Sequence, residues 1–308
     1  MVKLSRKYPI ITGIAGVLLF FILQLIMSLA VNGIKKPTYL AMLIMEIACI
    51  ILGVALVMIC GLGDIFKNHR ESFLRGLGTG GFFIFISAAS LVALISSAKS
   101  RSPLSSAEIA VFVLTMVSIG FAEEIIFRGF VSELIFQKYG NDFCGVWFST
   151  IVSGMIFGSA HLVNAFSMDL GGVIVQSVCA AVMGMSFTAI YYRTRNVYVT
   201  AALHAFMDFS VLFTAGVFGD GGIESTVASY DATKLLAVPI YVLLTLFLLR
   251  KLKMARILGE PGDTPLTMLA KLSSSEKSKK RLKWLLVGIA LVAIAIYAFC
   301  KVKAVLAA

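Results

Sequence analysis

The chain has 308 residues, of which 59% are hydrophobic and only 14% are charged. Soluble domains are about 45–50% apolar and about 25% charged, so this composition excludes a soluble enzyme, a disordered chain and a small disulfide-rich scaffold. The formal net charge is +11. Because the basic residues lie in short segments between apolar runs, we interpret this charge as a membrane-topology signal and expect no nucleic-acid partner.

Apolar segments along the chain predict membrane-spanning helices. In chain order they are 9–31, 39–61, 79–97, 107–135, 144–165, 170–192, 197–218, 235–250 and 284–300. The predicted fold class is therefore all-α, a polytopic transmembrane helical bundle with an eight-helix core and an extra C-terminal helix. Residues 1–250 form the predicted membrane domain, residues 251–283 a basic cytoplasmic linker, and residues 284–308 a C-terminal membrane helix and tail.

The distribution of basic residues predicts the orientation of the bundle. With the N-terminus in the cytoplasm, 19 of the 27 Lys and Arg residues fall in inner segments and seven, among them Lys35, Lys36 and Lys99, in outer ones. Cytoplasmic loops are enriched in Lys and Arg, so we expect a multi-pass protein of the cell membrane with a cytoplasmic N-terminus. The basic linker is expected to lie along an anionic leaflet.

Ionisable side chains within the predicted spans are functional candidates, because each costs about 2.5–3.5 kcal/mol on insertion scales. They are Glu46, Glu123, Glu124, Arg128, His161, His204 and Asp208. Glu124 and Arg128 are four residues apart on one helix face and can form an ion pair, in which Arg128 orients the carboxylate. Glu123 is rotated by about 100° and can face a different partner. Glu46 has no motif around it, which favours a helix-packing hydrogen bond.

Two carboxylates and two imidazoles on three helices are better explained by catalysis than by helix packing. With 1.5 Å of rise per residue, Glu124, His161 and His204 all come near the bilayer midplane. Such a set suits water activation, with a carboxylate as general base and an imidazole as hydrogen-bond donor to an oxyanion. Asp208, four residues after His204, either orients that imidazole or contributes directly.

A zinc ion is the alternative cofactor, with Glu123, Glu124, His161 and His204 as its ligands. Such an ion would lower the pKa of a bound water molecule. The chain has no HExxH string, the usual helical zinc-protease motif. We therefore expect a site without a cofactor.

Three strings carry a family resemblance. EEIIFR (Glu123 to Arg128) matches the motif EExxxR, FGSAH (Phe157 to His161) matches FxxxH, and HAFMD (His204 to Asp208) matches HxxxN/D. In this order on membrane helices they resemble the CPBP family, which contains the type II (Rce1-like) CAAX prenyl endopeptidases and the bacterial bacteriocin-processing or immunity "Abi" proteins. The likeness covers about residues 107–218.

The resemblance implies an intramembrane endopeptidase with a peptide or membrane-associated protein as substrate. By the family motifs, Glu123 and Glu124 would supply the water-activating carboxylate. His161 and His204 would assist as base partner or oxyanion donors, with Asp208 beside them and with Arg128 and Phe157 in support. An Asp at 208, where the motif also allows Asn, would carry a charge that holds His204 protonated or fixes its tautomer.

The biological role implied by the bacterial branch is peptide pheromone or bacteriocin processing, or immunity. One alternative is a non-catalytic membrane scaffold or immunity protein that regulates a membrane partner such as a sensor kinase. A small secondary transporter is a further alternative, because buried Glu and His also serve proton relays.

Overall fold

The computed structural model describes residues 1–31, 38–98, 101–259 and 262–306. Lys35, Lys36 and Lys99 of the predicted outer segments lie outside the described residues, as do linker residues 260 and 261 and tail residues 307 and 308. Within the described ranges the chain is helical and has no strand. The predicted all-α polytopic bundle is confirmed.

The longer helices of the described chain each overlap one predicted apolar segment. They are α1 (Pro9–Val31), α2 (Thr38–Ile59), α3 (Gly81–Ser97), α4 (Ser106–Tyr139), α5 (Phe143–Ala160), α6 (Leu170–Thr194), α7 (Val197–Val211), α8 (Ala237–Leu248) and α9 (Glu276–Leu306). The predicted segment 197–218 is two helices, because α7 is followed by a short helix Phe213–Phe218.

Five helices of the described residues, α1, α2, α4, α5 and α6, are long and apolar enough to cross a membrane. Two bent pairs would raise the number to seven if each is one span. Helix Phe73–Thr79 meets α3 at 75°, and Ala232–Leu248 meets Lys251–Leu258 at 60°. This set of apolar helices supports a multi-pass membrane protein.

Residues 251–283, the predicted linker, are largely helical. They contain helices Lys251–Leu258 and Pro265–Ala270, and α9 begins at Glu276, before the predicted residue 284. The start of α9 is tied to α5 by Asp142, whose carboxylate accepts hydrogen bonds from the N–H and the hydroxyl of Ser275, both at 3.2 Å. Burial raises the pKa of Asp142, but hydrogen bonds from the backbone N–H groups of Gly145 and Ser275 hold it below its ordinary value.

Helix α4 is continuous but changes its winding directly after the two adjacent glutamates. Residues Ile125–Ser132 form a π-helix in which every residue is buried. The Ser132 hydroxyl donates to the carbonyl oxygen of Phe127, five residues earlier, at 2.8 Å, which matches the wider π turn. Such turns occur often at functional sites, and this one lies at the centre of the hydrophobic core.

Glycines bring the site-bearing helices close together. A Cβ atom on Gly120 of α4 would lie 2.7 Å from the carbonyl oxygen of Ala201 on α7, and one on Gly158 of α5 would lie 2.5 Å from the carbonyl oxygen of Ser177 on α6. Small residues at such contacts let helix backbones approach closely in membranes. The contact at Gly120 places the middle of α4 beside α7.

We expect Gly120→Ala to destabilise the protein by about 1–3 kcal/mol, because the added methyl group would overpack the backbone contact between α4 and α7. Thermal unfolding of the purified protein in detergent micelles measures this as a lower Tm. Gly78→Ala is the matched control, since a Cβ atom at Gly78 has nothing within 4 Å. Equal Tm values for the two variants would contradict the close contact.

Candidate active site

The site is built around one carboxylate oxygen that joins α4 to α7. The Glu124 side chain is fully buried. Its Oε1 accepts a hydrogen bond from Arg128 Nη1 at 2.6 Å and lies 2.8 Å from His204 Nδ1. Because a carboxylate can only accept, His204 donates through Nδ1, and its Nε2 points away from Glu124. Two cationic or donor groups therefore compensate a charge that is excluded from water.

Arg128 is held in place by aromatic rings as well as by its ion pair. Its guanidinium carbon lies 4.4 Å from the ring centroid of Phe157 and 5.2 Å from that of Phe187, which are cation–π distances. Nη2 donates to the carbonyl oxygen of Gly184 at 3.5 Å. Arg128, whose side chain is 1% exposed, thus fixes the position of Glu124 from inside the protein.

Glu123 lies near the other ring nitrogen of His204. Its Oε2 lies 3.7 Å from His204 Nε2, and Asp208 Oδ2 lies 3.6 Å from the same nitrogen. The side chains of Glu123 and Asp208 are 24% and 25% exposed, whereas that of His204 is 5% exposed. One imidazole therefore has a buried carboxylate at Nδ1 and two accessible carboxylates near Nε2.

His161 is the first residue after the α-helical part of α5 and begins a 3₁₀ turn. Its Nδ1 lies 3.0 Å from the carbonyl oxygen of Phe157. Since a carbonyl oxygen only accepts, Nδ1 carries the proton, and Nε2 is an acceptor in the neutral ring. The Phe157 ring contacts both imidazoles, with centroid distances of 4.9 Å to His161 and 5.9 Å to His204.

Two adjoining cavities open onto these groups. The first, of about 340 Å³, is lined by Glu46, Glu123, His161, His204 and Asp208 among others. The second, of about 370 Å³, shares the two histidines and Asp208 with the first. Of the five residues predicted to be catalytic, four line the first cavity, and Glu124 lies behind them.

The sequence analysis missed a second buried polar cluster, centred on Glu133 at the other end of α4. Glu133 accepts hydrogen bonds from Arg195 Nη2 at 2.7 Å and from the Tyr191 hydroxyl at 3.1 Å. Burial lowers the pKa of Arg195, but the Glu133 carboxylate raises it by more, so the pKa lies above its ordinary value. The sequence feature that could have indicated this cluster is Glu133 itself, an acidic residue inside the predicted span 107–135.

Glu46 forms a hydrogen bond between two helices, as its interpretation as a helix-packing residue predicts. Its Oε1 accepts a hydrogen bond from Gln24 Nε2 at 3.1 Å, which joins α2 to α1. Glu46 also lines the first cavity with Glu123, a position that its isolated occurrence in the sequence did not indicate.

A zinc ion at this site would need ligands that converge on one point. Among the described residues, no group of three or more His, Cys, Asp or Glu side chains is arranged to hold a metal ion. In the alternative zinc set, Glu124 Oε1 is already bound by Arg128 and His204. As arranged here, these side chains do not converge on one point, and of the two Glu124 oxygens only Oε2 is without a hydrogen-bond partner in the described part of the chain.

We expect Arg128→Lys to destabilise the protein by about 1–3 kcal/mol although the charge is kept, because Lys lacks the planar fork that reaches both Glu124 and Gly184. The Tm in detergent micelles measures the loss. Arg101→Lys is the matched control, since Arg101 pairs with Asp220 at an exposed site and exposed pairs contribute little. A Tm for Arg128→Lys equal to that of the control would refute the role of the guanidinium.

The comparisons with known proteins agree with the motifs. Residues 105–210 match a family model described as type II CAAX prenyl endopeptidase Rce1-like. No curated protein and no solved structure gives a significant match to the chain. The matched region runs from the start of α4 to the end of α7 and contains all three motifs, so the predicted resemblance is confirmed. Residues 105–210, about a third of the chain, are thus similar to the type II CAAX prenyl endopeptidase Rce1-like family, and this similarity supports a CAAX-type intramembrane protease at the family level.

Proposed function

We propose that the chain is an intramembrane endopeptidase in which Glu123 activates the hydrolytic water molecule and His204 stabilises the oxyanion. The observation that carries this proposal is that the two adjacent glutamates lie at different ring nitrogens of His204. Glu124 binds its Nδ1 from inside the protein, and its Nε2 lies beside Glu123 at the cavity wall.

Glu123 is the better general base of the two adjacent glutamates. A general base must reach the proton that it abstracts, directly or through one water molecule. Glu123 is 24% exposed and lines the cavity, whereas Glu124 is fully buried and accepts from two partners. Glu124 is therefore a positioning residue in this proposal. His161 would orient the water molecule through its free acceptor Nε2.

His204 suits the role of oxyanion donor because of the charges around it. Three carboxylates, those of Glu123, Glu124 and Asp208, surround one imidazole, and Arg128 neutralises one of them. This excess of negative charge favours the imidazolium form, in which Nε2 carries a proton. A preorganised donor of this kind in a water-poor site stabilises developing negative charge strongly.

The proposed reaction has two steps, the addition of water to the scissile carbonyl group and the cleavage of the C–N bond. Glu123 takes a proton from water while the water oxygen bonds to the scissile carbonyl carbon, and the carbonyl oxygen becomes an oxyanion that accepts from His204 Nε2–H. The C–N bond then breaks, and the leaving amine nitrogen takes the proton from Glu123. Asp208 holds His204 in its protonated form throughout.

We further propose that the reaction uses no metal and serves peptide pheromone or bacteriocin processing or immunity, in a cell-membrane protein with a cytoplasmic N-terminus. The engagement of Glu124 Oε1 with Arg128 and His204 supports a metal-free reaction, since it leaves only Oε2 of this residue for an ion. The excess of basic residues in the inner segments supports the orientation. The role in processing or immunity rests on the resemblance alone.

We expect Glu123→Gln to lower cleavage by at least about 10²-fold with little change in Tm, because a general base contributes about 10²–10⁴-fold. Mass spectrometry of membrane peptides from a deletion strain, a wild-type strain and a Glu123→Gln strain measures this and names the substrate. Glu276→Gln, at an exposed position of α9, is the matched control. Identical peptide profiles in the wild-type and Glu123→Gln strains would reject proteolysis. A cellular phenotype that survives Glu123→Gln, His161→Ala and His204→Ala would favour the scaffold.

We expect full cleavage activity after treatment with a strong chelator, because a carboxylate rather than a metal ion activates the water molecule in this proposal. Elemental analysis of the treated protein verifies that zinc has been removed. Loss of activity on chelation, followed by recovery on addition of zinc, would contradict the metal-free mechanism.

A further inference from the structure

Glu46 is a buried acid that the proposed mechanism does not use. Only 6% of the residue is exposed. Its Oε1 accepts from Gln24 Nε2, and its Oε2 has no hydrogen-bond partner among the described residues. A carboxylate with one of its oxygens unpaired is costly in a low-dielectric interior, so this group lacks a compensating cation or donor.

The pairing of α2 with α4 fixes the level of Glu46 relative to the site. The Thr115 hydroxyl donates to the carbonyl oxygen of Tyr39 at 2.9 Å. Fourteen residues further along α2, Gly53 lies against Ile125. The two helices therefore run in the same direction, and Glu46, midway between these contacts, lies near the level of residue 120. With 1.5 Å of rise per residue, it is about 4–5 Å along the helix axis from the level of Glu123.

The cavity that contains both residues is lined by several acidic side chains. Its lining includes three carboxylates, those of Glu46, Glu123 and Asp208, and two histidines. No Lys or Arg side chain is among the described residues that line it. With His204 as an imidazolium the carboxylates still outnumber the cation, and a low-dielectric cleft with an excess of one sign of charge concentrates the opposite charge. The chemistry of the cavity thus favours a cationic ligand group.

We infer that Glu46, held by Gln24, is a subsite for a cationic group of the substrate peptide, either a Lys or Arg side chain or an N-terminal ammonium. The inference rests on the proposed function for its peptide substrate. The cationic group pairs with the Glu46 carboxylate at the cavity wall and compensates its charge. An extended chain advances about 3.3 Å per residue, so an axial offset of about 4–5 Å corresponds to one or two residues between this group and the scissile bond.

A hydrogen bond that only packs α1 against α2 makes a different prediction. In Glu46→Gln, the new amide oxygen still accepts from Gln24, so the packing contact is kept while the charge is removed. A packing role predicts that this variant binds every peptide as the wild type does. A cation subsite predicts that the variant loses its preference for cationic peptides and keeps its affinity for neutral ones.

The test uses the full-length protein in lipid nanodiscs and pairs of fluorescein-labelled peptides that differ only by Lys or norleucine at one scanned position. Fluorescence anisotropy gives the affinity, and mass spectrometry measures cleavage of the same peptides. We expect wild type to bind the best Lys peptide about tenfold more tightly than its norleucine partner. We expect the ratio of the two affinities to fall below about twofold in Glu46→Gln. In Glu46→Asp, which keeps the charge, we expect a ratio between those of the wild type and Glu46→Gln.

Two further experiments identify which group of the peptide carries the recognised positive charge and control for the loss of a negative charge from the protein. Acetylation of the peptide N-terminus removes the preference if an ammonium is read, and leaves it if a side chain is read. Glu276→Gln is the control for loss of one negative charge, and we expect its binding ratio to equal that of the wild type.

A ratio near one in wild type, an unchanged ratio in Glu46→Gln, or no measurable binding of either peptide would overturn the subsite. Tighter binding of the Lys peptide without cleavage of either peptide would support the subsite and reject the proposed proteolysis. Cleavage of both peptides with equal affinities would support proteolysis and reject the subsite.

Discussion

The charge of Glu124, fully buried among membrane helices, is the constraint on which the site depends. A buried charge that loses its partner destabilises a protein by about 3–5 kcal/mol. Here one oxygen, Oε1, is shared by Arg128 of the same helix and His204 of α7. The neutralisation of this charge therefore also fixes the distance between α4 and α7 and the orientation of the imidazole. The close contact at Gly120 makes that distance possible.

The shared oxygen separates two adjacent glutamates into different roles. Glu124 turns inward and determines which nitrogen of His204 remains for the cavity. Glu123, one residue earlier and about 100° around the helix, lies at the cavity wall with Asp208. The aromatic rings of Phe157 and Phe187 close the inner side by packing on Arg128. A buried glutamate, Glu124, thus lies next to a glutamate that water can reach, Glu123.

Much of this arrangement was predictable from the sequence, since hydropathy gave the long helices and motif spacing gave the Glu124–Arg128 pair. Three features were not. The π turn at Ile125–Ser132 depends on tertiary packing rather than on local spacing. The Glu133 cluster needed knowledge that α4 and α6 place Glu133 beside Arg195. The polar composition of 251–283 concealed helices in which some apolar residues, such as Met254 and Ile257, are buried.

The most direct test of the shared-oxygen account is a double-mutant cycle on the stability of the protein in detergent micelles. It compares Glu124→Gln, His204→Ala and the double variant with wild type by equilibrium unfolding. Because the two side chains form one buried hydrogen-bonded unit, the account predicts a coupling energy of about 1–3 kcal/mol. Additive effects, within about 0.5 kcal/mol, would contradict it.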